Sequence, residues 1–100
     1  MIKLDVKYIE YYIKISVWFL ENYFDETKIY DFDGHFLKRF LDKMESQYSK
    51  IISGEIVLQC NNDELRCLKE ALHCAKEDYK QNNLDKTELV EIDNYLRNLT

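Results

Sequence analysis

A chain of 100 residues, 46% of them apolar and 33% charged, is long enough for one hydrophobic core and too apolar to remain disordered. Its net charge of −5 argues against a phosphate backbone as partner and suits a basic protein surface. Proline is absent and glycine occurs only at Gly34 and Gly54, so the tight turns of an all-β fold are missing. The expectation is one mainly α domain over residues 1–100.

At the N-terminus, Lys3, Asp5, Lys7 and Glu10 interrupt any signal peptide, and Glu10, Lys14 and Glu21 break the following apolar stretch, so a membrane span is not expected. Met1–Val6 alternates (Ile2, Leu4, Val6) in the manner of a short strand. DVKYIEYYIKISVWFLENYF, residues 5–24, carries a narrow polar stripe at helical spacing: Lys7, Glu10, Lys14, Glu21 and Asp25. The remaining arc is apolar over roughly 200°. A helix of that kind is central in a bundle or shared with a second chain. Ile13, Ile15, Val17 and Phe19 also alternate as in a strand, but the stripe keeps helical spacing throughout, which favours the helix.

Residues 25–30 form a linker. Asp31 and Asp33 are placed to cap a second helix with Phe36, Leu37, Phe40, Leu41, Met44, Tyr48 and Ile51 on one face. Ser53-Gly54 ends it, glycine suiting the left-handed position just past a helix. EIVLQC, residues 55–60, is a short strand or an extended linker. Asn61 and Glu64 make a capping box that opens a third helix running to about Lys80, with Leu65, Leu68, Leu72, Ala75 and Tyr79 inward. Asp85 and Glu88 open a fourth, carrying Leu89, Ile92, Leu96 and Leu99. The predicted architecture is therefore four helices, with a short β element at residues 1–6, at 55–60, or at both.

Three stretches invite a chemical reading. Cys60, Cys67 and Cys74 are spaced by seven, with His73 beside the last. On one helix Cys67 and Cys74 lie about 10.5 Å apart, too far to share a zinc ion or form a disulfide. With Ala71 they make a stripe of small residues suited to close helix packing. An odd cysteine count without a secretory signal fits reduced thiols in the cytoplasm. Glu70 and His73 supply a Glu-x-x-His pair, but the second pair of a di-iron site is missing, because Phe32 stands three residues before His35. No metal or cofactor is expected.

KIYDFDGHF, residues 28–36, resembles locally the first motif of the haloacid-dehalogenase phosphatases. That resemblance implies Asp31 as nucleophile and Asp33 as acid/base. It covers about six residues, and His35 stands where the family has threonine. Neither the downstream lysine nor the paired acids follow, so a capped helix start is the expectation. A helix-turn-helix over the third and fourth helices would read DNA through Glu88, Glu91 and Asp93, which phosphate repels.

Trp18 falls within the polar stripe between Lys14 and Glu21, with Tyr11 and Asn22 beside it. An exposed tryptophan flanked by tyrosine is the composition of an interface anchor, and these five residues form the expected protein-binding surface. Twelve of the fourteen aromatics precede residue 50, while residues 51–100 carry ten acids against six bases. The outline of about 100 residues and four helices is similar to that of bacteriocin immunity proteins, although no motif carries that likeness. The sequence points to a small acidic, non-enzymatic protein-binding module of inhibitor or immunity type that occupies a basic site on another protein. The rival is a homo-oligomeric scaffold, such as a homodimer, packing through the first helix.

Overall fold

The computed structural model describes residues 1–23, 32–81 and 84–99, with the side chains of Phe32, Asp33 and Gln81 left aside. Of the described residues 76% are helical, and the fold is mainly α with a small two-stranded sheet. In order come β1 (Ile2–Lys3), a 3-10 turn at Val6–Tyr8, α1 (Ile9–Asn22), α2 (Phe32–Ser46), α3 (Tyr48–Ile52), β2 (Gln59–Cys60), α4 (Asn62–Glu77), a 3-10 turn at Tyr79–Gln81 and α5 (Lys86–Arg97). The long second helix expected over residues 31–51 is two helices, because the chain turns at Gln47.

Local chemistry sets the boundaries. Asn61 and Glu64 form the reciprocal capping box: the Glu64 N–H donates to Asn61 Oδ1 at 2.7 Å, and the Asn61 N–H to Glu64 Oε1 at 2.9 Å. Asp85 accepts from the Glu88 N–H at 2.7 Å and opens α5. Gly54 sits at φ +86 just past α3, a left-handed conformation in which any other residue is strained. The cap expected of Asp31 and Asp33, and the linker over residues 25–30, lie outside the described residues and side chains.

Both expected β segments are real and they meet. β1 pairs antiparallel with β2, Ile2 opposite Cys60 and Lys3 opposite Gln59, and the Leu4 N–H extends the ladder to the Leu58 carbonyl at 2.9 Å. The competing strand over Ile13–Phe19 does not form; those residues lie within α1.

The centre of the bundle is α4, against which α1, α2 and α5 each pack, while α1 also packs on α2. The wide apolar arc of α1 suits a helix central in the bundle or shared with a second chain, and α1 packs on both α2 and α4. Its own face supplies Ile9, Tyr12, Ile15, Ser16, Trp18 and Phe19 to the core, against Leu65, Cys67, Leu68, Ala71, Leu72 and Ala75 of α4. Cys67 and Ala71 are buried as the small-residue stripe requires, and Cys74 is half-buried. Two buried hydroxyls, Tyr12 Oη and Ser16 Oγ, have no hydrogen-bond partner among the described residues.

Candidate functional site

Helices α1 and α5 both rest on α4 and leave a groove of about 230 Å³ between them, lined by Lys7, Tyr8, Tyr11, Glu88, Glu91 and Ile92. Tyrosines from the start of the chain bridge it to glutamates near its end. The Tyr8 hydroxyl donates to Glu91 Oε1 at 2.9 Å, and the Tyr11 hydroxyl to Glu88 Oε1 at 3.3 Å. Glu88 and Glu91 are three residues apart on α5, as Tyr8 and Tyr11 are three apart around the start of α1, so the two pairs form successive rungs. Ile92, which follows Glu91 on α5 and is itself buried, also lines the groove.

Aromatic packing holds these groups in place. The Tyr8 ring lies 5.0 Å from Tyr95 and 6.1 Å from Tyr12, both tilted. Tyr95 also accepts a hydrogen bond from the Asp5 N–H, which ties the N-terminal segment to α5. The Lys7 ammonium stands 4.9 Å from the centroid of the Tyr8 ring. The Tyr11 phenol is held above its ordinary pKa, first by the negative charge of Glu88, then by burial and by the hydrogen bond to it. The raised Tyr11 phenol keeps its proton and remains the donor of its rung at neutral pH.

On the opposite side of α5, Asp93 closes a separate clasp. It accepts from Lys76 Nζ of α4 at 2.8 Å and from Arg97 Nε at 3.1 Å. Burial is the largest influence on its carboxyl and pushes the pKa up, but the hydrogen bonds and charges of Lys76 and Arg97 outweigh it and hold the group below its ordinary value.

The expected interface divides. Trp18 is only 9% exposed. It is a core residue, contrary to the expectation that it faces water. The wheel puts it within the polar stripe, but the side of α1 that carries Tyr11 and, two turns on, Trp18 turns toward the rest of the bundle. Tyr23 folds back from the end of α1 with its ring edge-on to Trp18 at 5.4 Å and stacked on Phe19 at 5.3 Å. Tyr11 is half-buried in the groove, whereas Lys14, Glu21 and Asn22 are exposed. The Asn22 amide donates to the Trp18 carbonyl at 2.8 Å, which makes it a helix-end residue.

Only Tyr11 is thus common to the expected surface and the groove. Tyr8, Glu88 and Glu91 carry no signal in the sequence, since 83 residues separate Tyr8 from its acceptor. For nucleophilic or metal chemistry the described residues offer little. No group of three His, Cys, Asp or Glu side chains is arranged to hold a metal ion among them. His73 and Glu77 form an exposed pair at 3.3 Å on the outer face of α4. Burial is the main cause that raises the Cys60 thiol, to about 11, and it also raises Cys74, the opposite of the activation that a nucleophilic thiolate requires. No described helix is long and apolar enough to cross a membrane. Compared with family models, curated proteins and solved structures, the chain matches none.

Proposed function

We propose that this chain is a small acidic, non-enzymatic protein-binding module of inhibitor or immunity type that acts in the cytoplasm on a partner with a basic surface. One observation carries the reading: the groove between α1 and α5, where two glutamates and two tyrosines are held in fixed positions by their mutual hydrogen bonds. Tyrosine is the residue type that gives contact area at low entropic cost, and carboxylates fixed beside it select basic partners and speed encounter. The excess of acids over bases in residues 51–100 extends the same field. Trp18, being core, is no longer the anchor of this surface; Tyr11 remains in it, and exposed Lys14 and Glu21 lie farther along α1 as candidates for its rim.

Cross-linking capture in the source cell tests the proposal, with the unmodified chain and Glu88→Lys/Glu91→Lys side by side. The expected result is a basic protein recovered by the former and lost with the charge reversal, while light scattering of the isolated chain gives a monomer. Recovery of the chain cross-linked only to itself would favour the homo-oligomeric reading instead.

A further inference from the structure

We propose that the groove between α1 and α5 is a receptor for one cationic side chain of the partner, an arginine guanidinium, and that Lys7 is its resident occupant, displaced on binding. The inference rests on the protein-binding reading above and gives its contact a chemistry.

The walls select a flat cation. Tyr8 and Tyr11 supply aromatic surface, and a guanidinium stacks on such faces while donating in plane. Each glutamate uses Oε1 for its tyrosine, so the hydrogen bonds that fix the rungs leave the Oε2 atoms to accept a forked donor. Charge points the same way. Glu88 and Glu91 line the groove with a single base, Lys7, while Asp5 and Glu10 act on the same groups from nearby.

Lys7 already shows where a cation rests. Its ammonium stands over the Tyr8 ring. The residue is exposed and belongs to a three-residue 3-10 turn, so its side chain leaves without disturbing a helix. An exposed ammonium–ring contact restrains it by only about a two- to fivefold factor, which a partner's arginine overcomes with its additional donors.

The test uses the full chain labelled with nitrogen-15 and titrated with a five-residue peptide, acetyl-Gly-Ser-Arg-Ser-Gly-amide, and with its lysine and citrulline counterparts. The expected result is amide shifts concentrated at Lys7, Tyr8, Tyr11, Glu88, Glu91 and Ile92. Arginine should bind more tightly than lysine, citrulline should produce no shift, and affinity should fall as salt is raised. Lys7→Gln should tighten arginine binding about two- to fivefold. Glu88→Gln/Glu91→Gln should abolish it, although glutamine still accepts from both tyrosines and the same spectra report whether the fold is intact. Equal binding of lysine and arginine would overturn the guanidinium assignment. Unchanged or weaker binding in Lys7→Gln would overturn the role of Lys7. Absence of groove shifts in every form would overturn the receptor itself. A partner captured from the cell regardless of charge at residues 88 and 91 would leave the protein-binding reading standing and this inference refuted.

Discussion

Tyr12 lies in the core with 0% exposure, and its hydroxyl has no hydrogen-bond partner among the described residues. Tyr12→Phe should therefore stabilise the protein. A buried hydroxyl without a partner costs about 1–3 kcal/mol in lost hydration, and phenylalanine removes that cost while keeping the ring packed against Tyr8. Against this stands the small void left by one oxygen, roughly 10–15 Å³, which at about 24 cal/mol per Å³ costs about 0.3 kcal/mol. The expected net gain is about 1–2 kcal/mol, which for a domain of this size raises Tm by about 4–8 °C per kcal/mol. Urea melts should show a higher midpoint at unchanged slope. Alkaline titration supplies an independent arm. Burial is the first cause pushing the Tyr12 phenol far above its ordinary value of 10.0. Below that pH the phenol is neutral in both folded and unfolded chains and its contribution is fully present. Above it, the unfolded chain releases the proton and the folded chain does not, so wild-type stability drains away and the advantage of Tyr12→Phe should widen. A loss of stability in Tyr12→Phe beyond about 0.5 kcal/mol at neutral pH would refute the reasoning, since it would mean that the hydroxyl makes a hydrogen bond.

Trp18→Ala should cost about 3 kcal/mol, and native Trp18 should emit in the blue and resist iodide; long-wavelength, quenchable emission would place it at the surface. Gly54→Ala should cost about 1 kcal/mol in thermal melts from its positive φ alone, because an added Cβ meets nothing within 4 Å. Native protein should alkylate at one thiol, Cys74, and unfolded protein at three, as counted by mass spectrometry. Asp93→Asn should cost about 1–2 kcal/mol at neutral pH. The depressed Asp93 pKa contributes stability that is present above its unfolded value of 3.8 and lost as pH falls through the folded value, so the variant's acid unfolding profile should be flatter below about pH 4.

Local signals were legible because each is closed within a few residues. The capping box at Asn61, the cap at Asp85 and the left-handed Gly54 depend only on neighbours in the chain, and all three stand as the sequence implied. Alternation at residues 1–6 allowed a short strand and the apolar run at 55–60 a strand or an extended linker, but their pairing is a long-range fact that neither segment contains alone. The expected surface failed at Trp18 for the same reason. A helical wheel orders residues around one axis and says nothing about how far a neighbouring helix or a returning ring, here Tyr23, reaches around it. Burial of Asp93 was equally invisible, since an acid on a polar-looking helix enters the core only where Lys76 and Arg97 converge on it.

The wide apolar arc of α1 prompted the idea that a second chain shares it, and its use inside the fold weakens that argument. Ile9, Tyr12, Ile15, Trp18 and Phe19 are consumed by the bundle, and Ile13, Val17 and Leu20 are partly covered. Large apolar side chains that remain exposed lie mainly elsewhere: Met1, Val6, Ile52 and Val57 lie in or beside the segments that form the β ribbon. A two-stranded ribbon would ordinarily invite another strand at either edge. Here the Asp5 N–H, next along the β1 segment, is taken by the Tyr95 hydroxyl, and the Gln59 carbonyl of β2 accepts from Lys43 Nζ at 2.8 Å. Long side chains from α5 and α2 therefore occupy backbone groups that an added strand would need. Tyr95 also packs on Tyr8, so the residue that closes one edge of the ribbon supports the groove between α1 and α5. Protection of the β1 edge and preorganisation of the groove thus share one side chain, Tyr95 of α5.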